Sequence, residues 1–213
     1  MNFRQLFLYP REYSGVFRVS AIILLAALAF GLVFGSVYVG YMDYYDMEEL
    51  ESGLNYFVQI TDEGGDVSRA KIATNSLNTN GLFILYTTIC GLTVIGLPLV
   101  VVMMALRGAL LGFTTAYLIH RLAWRGLAFV LVTLFPFAII IVLTSIFSGA
   151  SAMSFSWGMV RKVFGKGDRQ PTPILGFLMM QLAAMLVMFA MAMLEAASVP
   201  WLFQRMLPWA LSG

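Results

Sequence analysis

Two charges stand apart in this sequence. Arg107 and Glu195 lie within or close to long apolar stretches. An arginine and a glutamate in such surroundings can pair or line a polar path. Ionisable residues inside a membrane usually face the bundle interior and find a partner. Two readings follow. In one, Arg107 and Glu195 approach each other or share a polar cavity. In the other, Arg107 snorkels or ends a helix, and Glu195, just ahead of Pro200, lies at the outer interface.

Other chemistry is sparsely supplied. One cysteine, Cys90, excludes an internal disulfide framework and a cysteine-rich metal site. One histidine, His120, excludes a His-pair zinc site. The spacings of a phosphate-binding loop, a zinc protease and a nucleophile elbow are missing. Gly165-Lys166-Gly167 is a short basic loop with no strand before it. The fourteen methionines lack accompanying Cys or His and read as packing residues. The expectation is a protein that is not an enzyme and carries no cofactor and no metal.

The elements that must position the two charges come from composition. Of 213 residues, 60% are apolar and 11% charged; a soluble domain carries about 25% charged residues. The chain therefore reads as an integral membrane protein. A net charge of +2 does not indicate a nucleic-acid partner. The fold class expected is all-α, a polytopic helical bundle. A bilayer core takes about 20 apolar residues in a helix. Spans are expected at 19–41, 81–96, 98–119, 126–147 and 173–197. The second and third are short, because 81–119 is too long for one crossing and Gly96-Leu97-Pro98 offers a break. A four-span arrangement, with 98–119 re-entrant, is the alternative.

Charges cluster between the spans. Residues 42–80 hold eight acids against Arg69 and Lys71, a net −6. Within them, Asp43, Asp46, Glu48, Glu49 and Glu51 form a candidate partner surface. Leu54, Tyr56, Phe57 and Ile60 suggest a short amphipathic helix suited to docking. Residues 157–172 form a basic loop. With the N-terminus inside, Arg4, Arg11, Arg18, Arg161, Lys162, Lys166 and Arg169 fall on the inner side. Arg69, Lys71, Arg121, Arg125 and Arg205 then fall outside. The positive-inside rule favours this orientation, with the C-terminus out and the acidic loop 42–80 outside. Residues 1–18 mix aromatics with arginines and suit an interfacial segment. Residues 198–213 carry an aromatic belt. No cleavable signal peptide is expected. Gly31 with Gly35, and Gly108 with Gly112, have the spacing that lets membrane helices approach closely.

The order of motifs resembles the stage II sporulation protein M family. It is carried by Ile95-Gly96-Leu97-Pro98-Leu99-Val100, Arg107-Gly108, Gly112-Phe113-Thr114 and Trp124-Arg125-Gly126. Pro136, the stretch Ala150-Ser151-Ala152 and Glu195 with Val199-Pro200 agree with it. The likeness runs from about residue 15 to 202 and is weakest in 42–80. It implies a non-enzymatic scaffold of the engulfment machinery in the mother-cell or septal membrane of a sporulating bacterium. It also implies partners, the peptidoglycan-remodelling stage II sporulation proteins D and P. Self-association as a homo-oligomer is a further expectation. In the wider family a basic residue before Gly, a fourth-span Pro and a Glu before a last-span Pro recur. Arg107, Pro136, Glu195 and Pro200 stand at those places. Wider members often carry His-Gly, and a Glu after the fourth-span Pro. Here Phe137 follows Pro136, which favours the sporulation branch. The competing expectation is a small transporter or permease subunit that uses Arg107 and Glu195 in a polar intramembrane site. The broken helix at Gly96-Pro98 supports it, since interrupted spans often line transport sites.

Overall fold

A computed structural model describes residues 14–42, 66–93, 96–163 and 174–211. Among the described residues the chain is helical, with no strand. The described residues form five helices: α1 (Ser14–Val39), α2 (Asp66–Gly91), α3 (Gly96–Thr133), α4 (Phe135–Val163) and α5 (Ile174–Leu211). Among the described residues four stretches are long and apolar enough to cross a membrane: Gly15–Val39, Gly96–Arg121, Phe135–Arg161 and Ile174–Leu202. The stretch 98–119 thus lies inside a full-length helix. The helix that falls short in apolarity is α2, whose first half is rich in Asn, Ser and Thr.

Element bounds differ from expectation in several places. The chain turns at Leu92 and Thr93, ahead of Gly96, and Pro98 sits in the first turn of α3. A missing N–H costs nothing there, because first-turn amides have no helical partner. Pro136 likewise falls in the first turn of α4 and not in mid-span, so the fourth helix starts nine residues later than the expected 126. Residues 126–133 instead belong to a short apolar helix, Ala123–Thr133, reached through a kink at Ala123. Ala123 has φ 50°, the single positive φ among the described non-glycine residues, a conformation that side chains disfavour. Residues 66–80 are helical, where a loop was expected. Pro200 lies inside α5, which runs on to Leu211.

The helices alternate in direction. Gly31 of α1 meets Ala105 and Ala109 of α3, Gly35 meets Ala109, Gly108 meets Leu28 and Gly112 meets Leu32. Residue numbers rise together, so α1 and α3 run parallel. Along α2 and α5 the order reverses: Gly91 lies against Phe177 and Ser76 against Glu195. The end of α4 returns to the start of α3, with Gly149 against Val100 and Ser156 donating to the Thr93 carbonyl at 2.8 Å. The start of α1 and the end of α5 therefore lie at opposite ends of the bundle.

Glycine is required where α1 and α3 meet. A Cβ on Gly31, Gly35, Gly108 or Gly112 would overlap a carbonyl of the facing helix. Ser36 adds a hydroxyl shared between Leu32 O of its own helix, at 2.8 Å, and Gly112 O of α3, at 3.2 Å. Small residues substitute for the hydrophobic drive that a lipid solvent does not supply.

The centre of the bundle is α4. Its residues 148–156 are buried without interruption. The main core groups Leu24, Leu28, Ile84, Val100, Met104, Ile141, Met153 and Met188 from all five helices. Two smaller clusters close the ends. One holds Val39, Tyr117, Phe129 and Val130, with Val199 packed on it. The other holds Ala152, Phe155 and Phe177, the two rings stacked 4.6 Å apart.

Candidate functional site: a polar relay between two charges

The site rests on α2, packed between α3 and α5. Its inward face repeats at helical spacing: Ser76, Asn80, Phe83, Ile84, Thr87, Cys90. The lower part is apolar and closes the core. The upper part is polar and meets the two charges. Asn80 is 6% exposed, so its amide needs partners.

It finds them on both sides. The Arg107 guanidinium (Nη2) donates to Asn80 Oδ1. Asn80 Nδ2 donates to Ser76 Oγ at 3.1 Å. Ser76 Oγ donates to Glu195 Oε2. The four residues form one directed chain, in which every donor points toward the carboxylate. Arg107 and Glu195 also attract each other electrostatically. The guanidinium lies over the Phe83 ring, its Cζ 4.6 Å from the centroid, a cation–π contact. The structure thus brings Arg107 and Glu195 into one site and links them through two neutral side chains.

The arrangement has a physical logic. A buried charge without a partner is costly, and a buried direct ion pair must offset the desolvation of both ions. Neutral amide and hydroxyl groups between the ions keep both hydrogen-bonded and fix their separation. They also tie α3 to α5 through α2. Such a chain can brace helices, and it can orient a proton or an ion at the carboxylate.

A second polar cluster lies toward the opposite end. Gln181 of α5 is buried and is matched on all sides by α4. Ser148 Oγ donates to its Oε1 at 2.6 Å, and its Nε2 donates to Ser148 O at 3.1 Å and Ser151 Oγ at 3.0 Å. Other buried hydroxyls turn back on their own helix. Thr87 donates to Phe83 O, Ser145 to Ile141 O and Ser154 to Ala150 O, the usual solution where water is excluded.

Ser76, Asn80 and Gln181 were not anticipated from sequence. The available signal was the pair Ser76/Asn80 at i, i+4 in register with Phe83, Ile84 and Thr87. Gly31, Gly35, Gly108 and Gly112 come together as the α1–α3 contact. Pro98, Pro136 and Pro200 do not join the relay. Pro200 is buried in α5, beyond Glu195. Asp43, Asp46, Glu48, Glu49 and Glu51 lie outside the described residues. Among the described residues no group of three or more His, Cys, Asp or Glu could hold a metal ion.

Comparison with known proteins gives one match. A family model described as stage II sporulation protein M covers residues 16–200, which includes all four members of the relay. No curated protein and no solved structure matches the chain.

Proposed function

The chain belongs to the stage II sporulation protein M family, and from that membership we propose that it is a non-enzymatic membrane scaffold of engulfment. In this reading it recruits the peptidoglycan-remodelling stage II sporulation proteins D and P to the septal membrane. The observation that carries the reading is the family match over 16–200. The packing supports it. Glycine-tight contact between α1 and α3, the continuously buried stretch 148–156 of α4 and a relay that ties α3 to α5 describe a bundle built to hold its shape.

A fifth crossing by α2 belongs to the same reading. It runs beside α5, with Gly91 against Phe177 and Ser76 against Glu195, a rise of roughly 22 Å between those two α2 residues and most of the depth of a bilayer core. Five crossings with the N-terminus inside put the acidic stretch 43–65 outside, where wall enzymes work. Its acids are the proposed docking surface. Reversing the charge of Asp43, Asp46, Glu48, Glu49 and Glu51 together should lower co-purification of both enzymes from co-expressing cells. Undiminished recovery would move the contact into the helices.

The relay supports a second reading, a small permease subunit with Glu195 as its ion-binding group. Proteoliposomes holding the protein would then carry a flux that Glu195→Gln abolishes. No flux above that of empty liposomes is expected for the scaffold.

A further inference from the structure

The outward face of α2 has no partner within the described chain, and its pattern is that of a helix–helix seam. Lys71, Asn75, Asn78, Leu82, Leu85 and Ile89 are all exposed. Their steps are four, three, four, three and four residues, the spacing at which one helix winds on another. The lower half of the seam is aliphatic, and the upper half carries two asparagines. Neither asparagine amide is hydrogen-bonded to a described residue. Lys71, Thr74, Asn75 and Asn78 also line a shallow open depression.

Depth makes this face unusual. Asn80 is level with Arg107, and Gly108 lies against Leu28 of α1. Above that level α1 turns Phe30, Val33, Phe34 and Val37 outward, and α5 turns Leu194 and Trp201 outward. The asparagines of α2 therefore sit at a depth where neighbouring helices present apolar side chains suited to lipid. Amides facing hydrocarbon are unfavourable, and asparagine in a membrane helix is satisfied by bonding across to another helix.

We propose that the α2 seam is a dimer interface, its occupant the α2 seam of a second copy of this chain. Two copies in one membrane share orientation, so their α2 helices run parallel about a two-fold axis. That symmetry puts Asn75 beside Asn75 and Asn78 beside Asn78. An amide is both donor and acceptor, so each pair is self-complementary. A buried asparagine in a parallel two-helix seam also fixes register and pairing. Leu82, Leu85 and Ile89 continue the contact downward. Lys71 lies at the upper end, where two ammonium groups can spread into water. The inference rests on the proposed crossing by α2 and is independent of which enzymes the protein recruits.

Cysteine cross-linking in native membranes tests it. In a Cys90→Ala background, Asn78→Cys, Leu82→Cys and Leu85→Cys should form disulfide-linked dimers on mild oxidation. Phe30→Cys and Leu186→Cys, more exposed than Leu82 and Leu85 but on α1 and α5, should not. Equal cross-linking at all five positions overturns the proposal. A product with the mass of a different partner overturns it too. So does labelling of Asn75→Cys and Asn78→Cys by a membrane-impermeant maleimide without any dimer, which would mark a water-filled face. As a second measurement, Asn75→Leu with Asn78→Leu should cut co-purification of two differently tagged copies by about tenfold, with the monomer still eluting as a folded species. Unchanged recovery counts against the interface.

Discussion

Asn80 is the pivot of the polar relay, since its one amide serves both Arg107 and, through Ser76, Glu195. Its removal should therefore cost more than one hydrogen bond. Asn80→Ala is expected to lower stability by about 2 kcal/mol, the scale of a lost hydrogen bond to a charged group, measured by denaturant titration in detergent. A double-mutant cycle of Arg107→Gln and Glu195→Gln should return a coupling of about 1 kcal/mol. In an Asn80→Ala background that coupling should shrink; persistence at full strength would mean that the charges interact without the relay. The two charges were readable from sequence because ionic groups are so few in this chain. Asn80 and Ser76 were hidden by their neighbours. They lie in a hydrophilic run whose composition reads as loop, and their partners come from helices far off in sequence.

At the scale of elements, proline and glycine explain both what was legible and what was not. Gly31, Gly35, Gly108 and Gly112 announced close packing by spacing alone. That the two pairs pack on each other is a matter of register between α1 and α3, which spacing within one helix does not encode. Pro98 and Pro136 mark helix starts. Pro136 was placed in mid-span because the stretch before it, 126–133, is apolar enough to belong to a span, and the break depends on Ala123 adopting a positive φ. Nothing in an alanine foretells that. The α1–α3 contact makes a sharp prediction. Gly108→Val would drive a side chain into the Leu28 carbonyl and should cost about 3 kcal/mol, at the upper end of overpacking. Gly15→Ala, with open space around its Cβ, should leave the same unfolding curve unmoved.

At the scale of the molecule, alternation of the five described helices puts the start of α1 and the end of α5 at opposite ends. Single cysteines at positions 10 and 210, with Cys90 replaced by Ala, should thus react with an impermeant maleimide from opposite sides of the membrane. Reaction from one side only would reduce the crossings to four. The helix that decides this number, α2, is also the least apolar. Its polar groups Ser76 and Asn80 are satisfied by Glu195 and Arg107, which follow it in the chain. During synthesis α2 leaves the ribosome well before either partner. With α2 as the proposed fifth crossing, its half-polar face waits without partners until α3 and then α5 are made, and the relay closes only with the last helix. A chain stopped before Glu195 would leave the Ser76 hydroxyl without its carboxylate acceptor, so the first polar helix to be made is completed by the last.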